Sequence, residues 1–346
     1  MAPLRIVVVG IGWFGRRHIE ILQQTSSWQL AGVADPNPAT EAYAAELDVP
    51  WFVDYREMFD HIRPDAVIIA TPNVLHVPVG MACVERGIPM LVEKPISDNL
   101  ETAMQLTEAA ERAVVPMLVG HHRRYNPIIE KACEIVREGH IGQLTAICAQ
   151  FMLLKAPEYF EMEHRRLPGA GPIMTNAVHD IDDLRFICGD IISVQAMTSN
   201  AVRGNAVEDT AVVSLRFANG ALGTLTISDT AVSPWSWELT SGENPFYTRH
   251  DENCYLISGT EGALTVPRLE WWRYGKDKFW RAPLLFDRLN IETADPLVRQ
   301  IHHFYEVIHG REQPRITGRD AIRTLQVVQT ICEAARTGDS IELALQ

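Results

Sequence analysis

The chain has 346 residues, enough for about two domains. Its hydrophobic content of 47% and charged content of 22% are those of an ordinary globular protein, and its formal net charge of −13 excludes the basic face that nucleic acid or anionic lipid would require. No apolar stretch approaches the roughly 20 residues of a membrane span, and the opening runs directly into a strand pattern, so neither a signal peptide nor a membrane partner is expected and a cytoplasmic location is.

Up to Gly120, short apolar runs alternate with helical patterns. "RIVVVG", "QLAGVAD", "DAVIIAT", "PMLVEK" and "PMLVGH" read as buried parallel strands. Phe14–Gln24, Ala39–Leu47, Tyr55–His61, Val74–Arg86 and Asn99–Ala113 read as helices. Pro38 after Asn37 suits a first helical turn, Ser97 and Asp98 suit a cap, and Gly87 suits the position past a helix end. Strand, crossover helix, strand, repeated, implies a doubly wound parallel sheet covered on both faces.

Beyond Gly120 the pattern changes. A helix over Pro127–Glu138 leads into long β segments: "LTAICAQFMLL", "ISVQAMTSNAV", "DTAVVSLRFANGALGTLTISDT", "NCYLISGTEGALTVP" and "LEWWRYG". Asn219-Gly220 is a strong hairpin signal between alternating strands. Helices over Pro296–His309 and Arg319–Ala335 close the chain. The reading is α/β: a Rossmann-type domain over 1–121, then an α+β domain over 122–346 built on one large, mostly antiparallel, open sheet. Helices on one side of such a sheet leave the other for a partner, so a homodimer or homotetramer through that face is expected. The six cysteines are scattered, without zinc-type spacing, and read as reduced, buried thiols; no metal site is expected.

"RIVVVGIGWFGRRH" raises the first functional question. Gly10, Gly12 and Gly15 follow the first strand and open the first helix, the context a dinucleotide-binding loop demands. Gly10 suits the tight turn, Gly12 a close approach of backbone to pyrophosphate, and Gly15 close packing of helix on strand. The second strand ends at Asp35, twenty residues past Gly15, where a carboxylate accepts the hydroxyls of an adenosine ribose. That carboxylate repels a 2′-phosphate and "PNP" after it offers no cation, so NAD is expected rather than NADP. Arg16 and Arg17 are equally consistent with surface charge.

At "VEKPIS" the sequence reaches a signature. Together with the glycine loop, "IATPNVLH" and "GHHRRYNP", it resembles the Gfo/Idh/MocA oxidoreductase family over essentially the whole chain. The resemblance implies hydride transfer between a nicotinamide and a carbinol carbon, usually of a sugar or cyclitol. It implies that Lys94 lies beside the nicotinamide and hydrogen-bonds the reacting hydroxyl. Trp13, Phe14, Thr71, Pro72, Asn73, His76, Glu93 and Pro95 then border the cofactor, and a cis bond precedes Pro95. The residues agree for Lys94: it ends a buried strand, where open parallel sheets place their sites. A cationic neighbour there disfavours its charged form.

A second family motif falls on "GAGPIMTNAVHDIDDLRFICGD". Its histidine is His179, but Thr175 occupies the position of its acid, beside Asn176. A threonine cannot take up a proton at neutral pH; it only hydrogen-bonds. On a helix 175, 176 and 179 share a face, so Thr175 and Asn176 orient substrate while His179 serves as general base. Asp182 or Asp183 would brace the imidazole. Tyr125, Lys155 and Arg165 are further substrate candidates, the two cations for an anionic or hydroxyl-rich part, with Arg166 considered beside them; Arg123 and Arg124 read as structural. Trp235 and Trp237 read as a sheet-interface contact before a sugar-stacking one. The leading reading is an NAD-dependent dehydrogenase of a small polyhydroxylated substrate. The alternatives are a dehydrogenase of a carboxylated cyclic diol, and an NAD(H)-binding protein without chemistry.

Overall fold

The computed structural model describes residues 2–344. The chain divides into two compact units. One holds the residues up to His122 together with Leu297–Leu325; the other holds Arg123–Pro296 and the chain from Gln326 onward.

In the first unit the strands are β1 (Leu4–Val9), β2 (Trp28–Ala34), β3 (Trp51–Phe52), β4 (Ala66–Ile69), β5 (Met90–Val92) and β6 (Met117–Val119). All pair in parallel, in the order β3-β2-β1-β4-β5-β6. This is the doubly wound order whose switch point, between β1 and β4, opens a crevice at the strands' C-terminal ends. The crossover helices are α1 (Trp13–Gln23), α2 (Glu41–Glu46), α3 (Tyr55–Ile62), α4 (His76–Arg86) and α5 (Leu100–Ala113). Ile6, Val8, Ile68, Leu91 and Leu118 are wholly buried, which is why these strands read as continuous apolar runs.

The expected signals mostly fall where the elements do. Asn37 caps the turn that leads into α2, its side chain accepting from the Ala39 N–H, and Gly87 takes the left-handed conformation past α4. The cap of α5 is Asn99, one residue beyond the expected pair; its side chain accepts from the N–H groups of Glu101 and Thr102. Two-residue β3 is too short to leave a sequence pattern.

The second unit begins with α6 (Pro127–Arg137) and β7 (Leu144–Met152), followed by α7 (Val178–Cys188), β8 (Ile191–Ser199), β9 (Thr210–Phe217), β10 (Leu222–Ser228) and the short α8 (Trp237–Thr240). Then come β11 (Tyr255–Gly259), β12 (Ala263–Val266), β13 (Glu270–Tyr274) and β14 (Leu284–Arg288). After them stand α9 (Pro296–Ile308), α10 (Gly318–Thr337) and β15 (Ile341–Glu342). The sheet runs β14-β13-β12-β11-β7-β10-β9-β8-β15, with β7 and β10 parallel and the other pairs antiparallel. Asn219-Gly220 makes the β9–β10 turn, with Gly220 at φ +90°. One face packs on α6, α7 and the later residues of α10 through Ile129, Ile181, Leu184, Val328 and Ile331.

One boundary differs from expectation. From Leu297 onward α9 belongs to the first unit, where Leu297, Ile301 and Phe304 join the core and Phe304 stacks on Trp28 at 5.8 Å. An amphipathic helix carries no mark of which sheet it will cover.

Candidate functional site

The first unit supplies a nucleotide cleft. Gly10 sits at φ +92°, and a Cβ there would lie 2.5 Å from the Ala70 carbonyl oxygen; a Cβ on Gly15 would lie 1.9 Å from the Gly10 carbonyl oxygen. Both positions therefore exclude a side chain. At Gly12 a Cβ would meet nothing within 4 Å, so the space beside the loop is open. Gly12 is the N-cap of α1 and contributes no capping side chain, leaving the first-turn N–H groups for an anion. Arg16 lies over the Tyr43 ring and Arg17 pairs with Glu20, so the loop's cations have local partners.

A cleft of about 290 Å³ lies at the switch point, lined by Gly10, Asp35, Val53, Tyr55, Arg56 and Thr71 among others. Asp35 is held in place by the Ile11 N–H (2.7 Å, to Oδ2) and the Asn37 N–H (2.9 Å, to Oδ1). Each oxygen keeps acceptor capacity. The Thr71 hydroxyl is buried there without a hydrogen-bond partner among the described residues. An oriented carboxylate, an orphan hydroxyl and an open glycine loop fit the adenosine diphosphate half of NAD. Arg56, stacked 4.5 Å over Tyr55, is a cation in this cleft that the residues next to Asp35 did not announce.

At the end of β5 the sequence enters Glu93-Lys94-Pro95, whose Lys94–Pro95 bond is cis. Glu93 Oε1 lies 2.7 Å from His18 Nε2, and Oε2 accepts the Lys94 N–H. Burial by itself would raise the Glu93 carboxyl, but the His18 hydrogen bond and the charges of His18, His122 and Lys94 carry it below the ordinary value. Glu93 thus works as a buried anchor for the Lys94 backbone. The Lys94 ammonium lies 5.9 Å from the Phe14 ring centre, and Phe14 packs edge-on against Trp13, itself 63% exposed. Pro72 and Asn73 are exposed beside this region. His76 is different: it is buried, with Nδ1 2.8 Å from the Pro95 carbonyl and Nε2 2.9 Å from that of Thr71. Both ring nitrogens are engaged, so His76 ties two loops together and offers the cofactor no free nitrogen.

The second unit carries the other motif, and its local geometry departs from the simple helix expected. Ile173–Ala177 form a π-helical turn before α7, a distortion frequent at functional sites. His179 lies in the first turn of α7 and is 8% exposed; Thr175 and Asn176 are half-buried. The Thr175 hydroxyl donates to the Gly171 carbonyl (2.9 Å) and lies 2.9 Å from Asn176 Oδ1. Lys155 Nζ reaches Thr175 Oγ1 at 3.4 Å.

Asp182 and Asp183 are placed on arginines. Asp182 makes a two-pronged pair with Arg124, both bonds 2.7 Å. Arg123 reaches the buried Asp180 and Asp183 at 3.4 and 3.3 Å and the half-buried Glu238 at 2.7 Å. Tyr255 donates to Asp180 at 2.5 Å and to Asp183 at 3.2 Å. The structural reading of Arg123 and Arg124 agrees with this geometry. Two expectations are corrected by burial. Tyr125 is 1% exposed and presents no open ring face to a substrate; Trp237 is equally buried and stacks on Tyr255, so it serves neither a sugar nor a subunit contact. Arg165 lies 4.1 Å over the Tyr159 ring, and Arg166 is exposed.

The sequence reading missed Arg203, Glu208 and Asp229, which gather around Lys155 and Gly171. The available signal was the acid at each strand terminus, "EDT" and "SDT": because β9 and β10 are antiparallel, Thr210 pairs with Ser228 and the acids beside them meet.

Compared with known proteins, residues 4–121 match the family described as "Oxidoreductase family, NAD-binding Rossmann fold", and residues 129–265 match "GFO/IDH/MocA C-terminal domain". The chain is 27% identical over 307 residues to the 1,5-anhydro-D-fructose reductase of Ensifer adhaerens, covering 87% of each. It is 29% identical over 209 residues to the rhizopine catabolism protein MocA of Rhizobium meliloti, covering 60% of this chain and 65% of that protein, just under two thirds of its length. Among solved structures, the WlbA dehydrogenase from Bordetella pertussis in complex with NADH and UDP-GlcNAcA has the same fold, with a TM-score of 0.82 at 22% identity over 99% of this chain and 100% of that one.

Proposed function

The chain belongs to the GFO/IDH/MocA oxidoreductase family and carries its NAD-binding Rossmann domain, and from that premise we propose that it transfers a hydride between NAD and a carbinol carbon of a small polyhydroxylated substrate, a sugar, an inositol or a related polyol. The observation that carries this reading is Lys94: a lysine at the C-terminal end of an interior parallel strand, its backbone anchored by a buried glutamate, in the unit that holds the nucleotide cleft. Relatives named inositol 2-dehydrogenase and 1,5-anhydro-D-fructose reductase support the substrate class.

When bound, NAD supplies the hydride acceptor. Lys94 donates a hydrogen bond to the reacting hydroxyl and stabilises negative charge developing on its oxygen. His179 takes the hydroxyl proton as the carbinol is oxidised and returns it in the reverse direction, since imidazole holds and releases protons near neutrality. Thr175 and Asn176 fix the hydroxyl by hydrogen bonds alone.

Lys94→Met and His179→Asn are each expected to lower kcat by roughly 10²–10⁴-fold on the best of a panel of aldoses, inositols and sugar acids. NADH affinity, read by fluorescence titration, should stay within a few-fold of the unsubstituted protein. Undiminished kcat in either variant removes that residue from proton handling.

The open face of the large sheet supports a second copy of the chain as partner. Met197, Val212, Leu222 and Leu256 share that face and are 76%, 48%, 53% and 44% exposed. No helix among the described residues is long and apolar enough to cross a membrane, and a cytoplasmic protein remains the reading that its free cysteines, Cys83, Cys133, Cys188 and Cys254 buried and Cys148 and Cys332 half-buried, support.

A further inference from the structure

Lys155 leaves the end of β7 with its side chain 9% exposed. Its ammonium lies 3.4 Å from Thr175 Oγ1, 3.7 Å from Asp229 Oδ2 and 4.8 Å from the centre of the Tyr159 ring. Asp229 is not its own counter-ion. Arg203 Nε donates to Asp229 Oδ1 at 3.0 Å, so one carboxylate serves two cations. On the far contact of the Tyr159 ring stands Arg165, which donates to the Tyr159 carbonyl and has no carboxylate partner among the described residues.

The remaining acids nearby are engaged by backbone: Asp209 accepts the Val202 and Arg203 N–H groups, both at 3.0 Å. Glu208 accepts the Ile173 N–H at 3.1 Å and fits only because residue 171 is glycine: a Cβ there would lie 2.2 Å from Glu208 Oε1. Burial raises its carboxyl above the ordinary value, against the Ile173 N–H and the charge of Lys155. Burial likewise lowers the Lys155 ammonium, the charges of Asp229 and Glu238 offset this only in part, and Arg203 and Arg165 add to it. The π-helical turn that carries Thr175 and Asn176 is thus bordered by a nearly buried ammonium that shares Asp229 with Arg203 and has a second cation, Arg165, across the Tyr159 ring. A nearly buried ammonium in that condition gains most from an anion delivered by a ligand, through a charge-assisted hydrogen bond in a low-dielectric setting.

We propose that Lys155, backed by Arg165, binds a carboxylate of the substrate, so that the substrates are sugar acids or carboxylated polyols rather than neutral sugars. The Thr175 hydroxyl and the Asn176 amide then meet the hydroxyls next to that carboxylate. This inference rests on the reading of the Thr175–Asn176 turn as substrate-facing.

The test is binding to the NADH-saturated protein, measured by calorimetry on matched pairs: D-glucuronate against D-glucose and D-galacturonate against D-galactose. Each pair differs in the carboxylate. The uronate of at least one pair should bind about tenfold or more tighter, about 1.4 kcal/mol, with the margin shrinking as salt is raised. Lys155→Met should reduce the uronate to the level of its neutral partner, and Lys155→Arg should keep part of the margin. Thr175→Asp retains the lysine but sets a carboxylate against it, and should also abolish the preference. Equal binding within both pairs, no binding by any of the four sugars, or a margin that survives Lys155→Met overturns the inference. Turnover of neutral polyols with equal binding would sink it and leave the dehydrogenase reading standing. Uronate preference without turnover would support it and count against that reading.

Discussion

Asp35 shows how much one side chain can settle. Its two oxygens each accept one backbone N–H, which holds the carboxylate at the edge of the nucleotide cleft with acceptor capacity to spare. Two ribose hydroxyls suit that capacity, and a 2′-phosphate does not. Asp35→Ser should raise the KM for NAD about tenfold, about 1.4 kcal/mol, and should improve use of NADP, because Arg56 remains in the cleft as a cation. Steady-state kinetics with both cofactors check this; an unchanged KM for NAD would take Asp35 out of ribose recognition. The position of Asp35 was legible because spacing along the chain defines it. Arg56 was not, since it reaches the cleft from α3, and neither was the partner of His18. That histidine follows the glycine loop directly, yet its carboxylate lies 75 residues further on. Sequence spacing reports neighbours along a strand or helix, and says nothing of a pair closed by the fold.

Helix α7 poses the corresponding problem for an element. "HDIDDLRF" reads as a helix whose acids brace His179, and Asp180, Asp182 and Asp183 are all buried among arginines. Three carboxylates are tolerated because Arg123 and Arg124 enter from the start of the same unit, and because Tyr255 donates to two of them. The balance has a consequence for pH. Burial raises the Asp180 carboxyl from 3.8 to about 6, against the opposing charge of Arg123, and drives Asp183 upward as well. The folded protein therefore holds these protons more tightly than the unfolded chain. The Asp180 contribution to stability is complete below the unfolded value of 3.8 and is lost as pH rises through about 6. Asp180→Asn removes one such group. Thermal unfolding across that range should show the variant gaining on the unsubstituted protein as pH rises; a difference independent of pH would contradict the assignment. The π-helical turn before α7 was equally invisible, because the residues that make it are compatible with an ordinary helix.

At the scale of the whole molecule, the alternation of strands and helices and the long hairpin-linked strands were enough to read the two-sheet architecture. Their order within each sheet came only with the structure. The edge strands β14 and β15 had no readable pattern: β14 is exposed throughout and β15 has two residues. The open face followed from a simple count of covering helices, and the cross-strand register bears it out as one surface, with Met197 opposite Val212. Val212→Glu places a charge in the middle of that surface. It should convert an assembly of chains into smaller species in analytical ultracentrifugation, with the unfolding temperature of the dissociated chain still measurable. An unchanged mass would move the contact elsewhere.

Hydride transfer itself is tested most directly by isotope. Aldoses, inositols and sugar acids deuterated at the carbinol carbon would be incubated with the protein and NAD, and the reduced nicotinamide examined by mass spectrometry. The account predicts deuterium in the NADH for one substrate class, with the yield collapsing in Lys94→Met. Tight NADH binding without deuterium transfer from any class would contradict it.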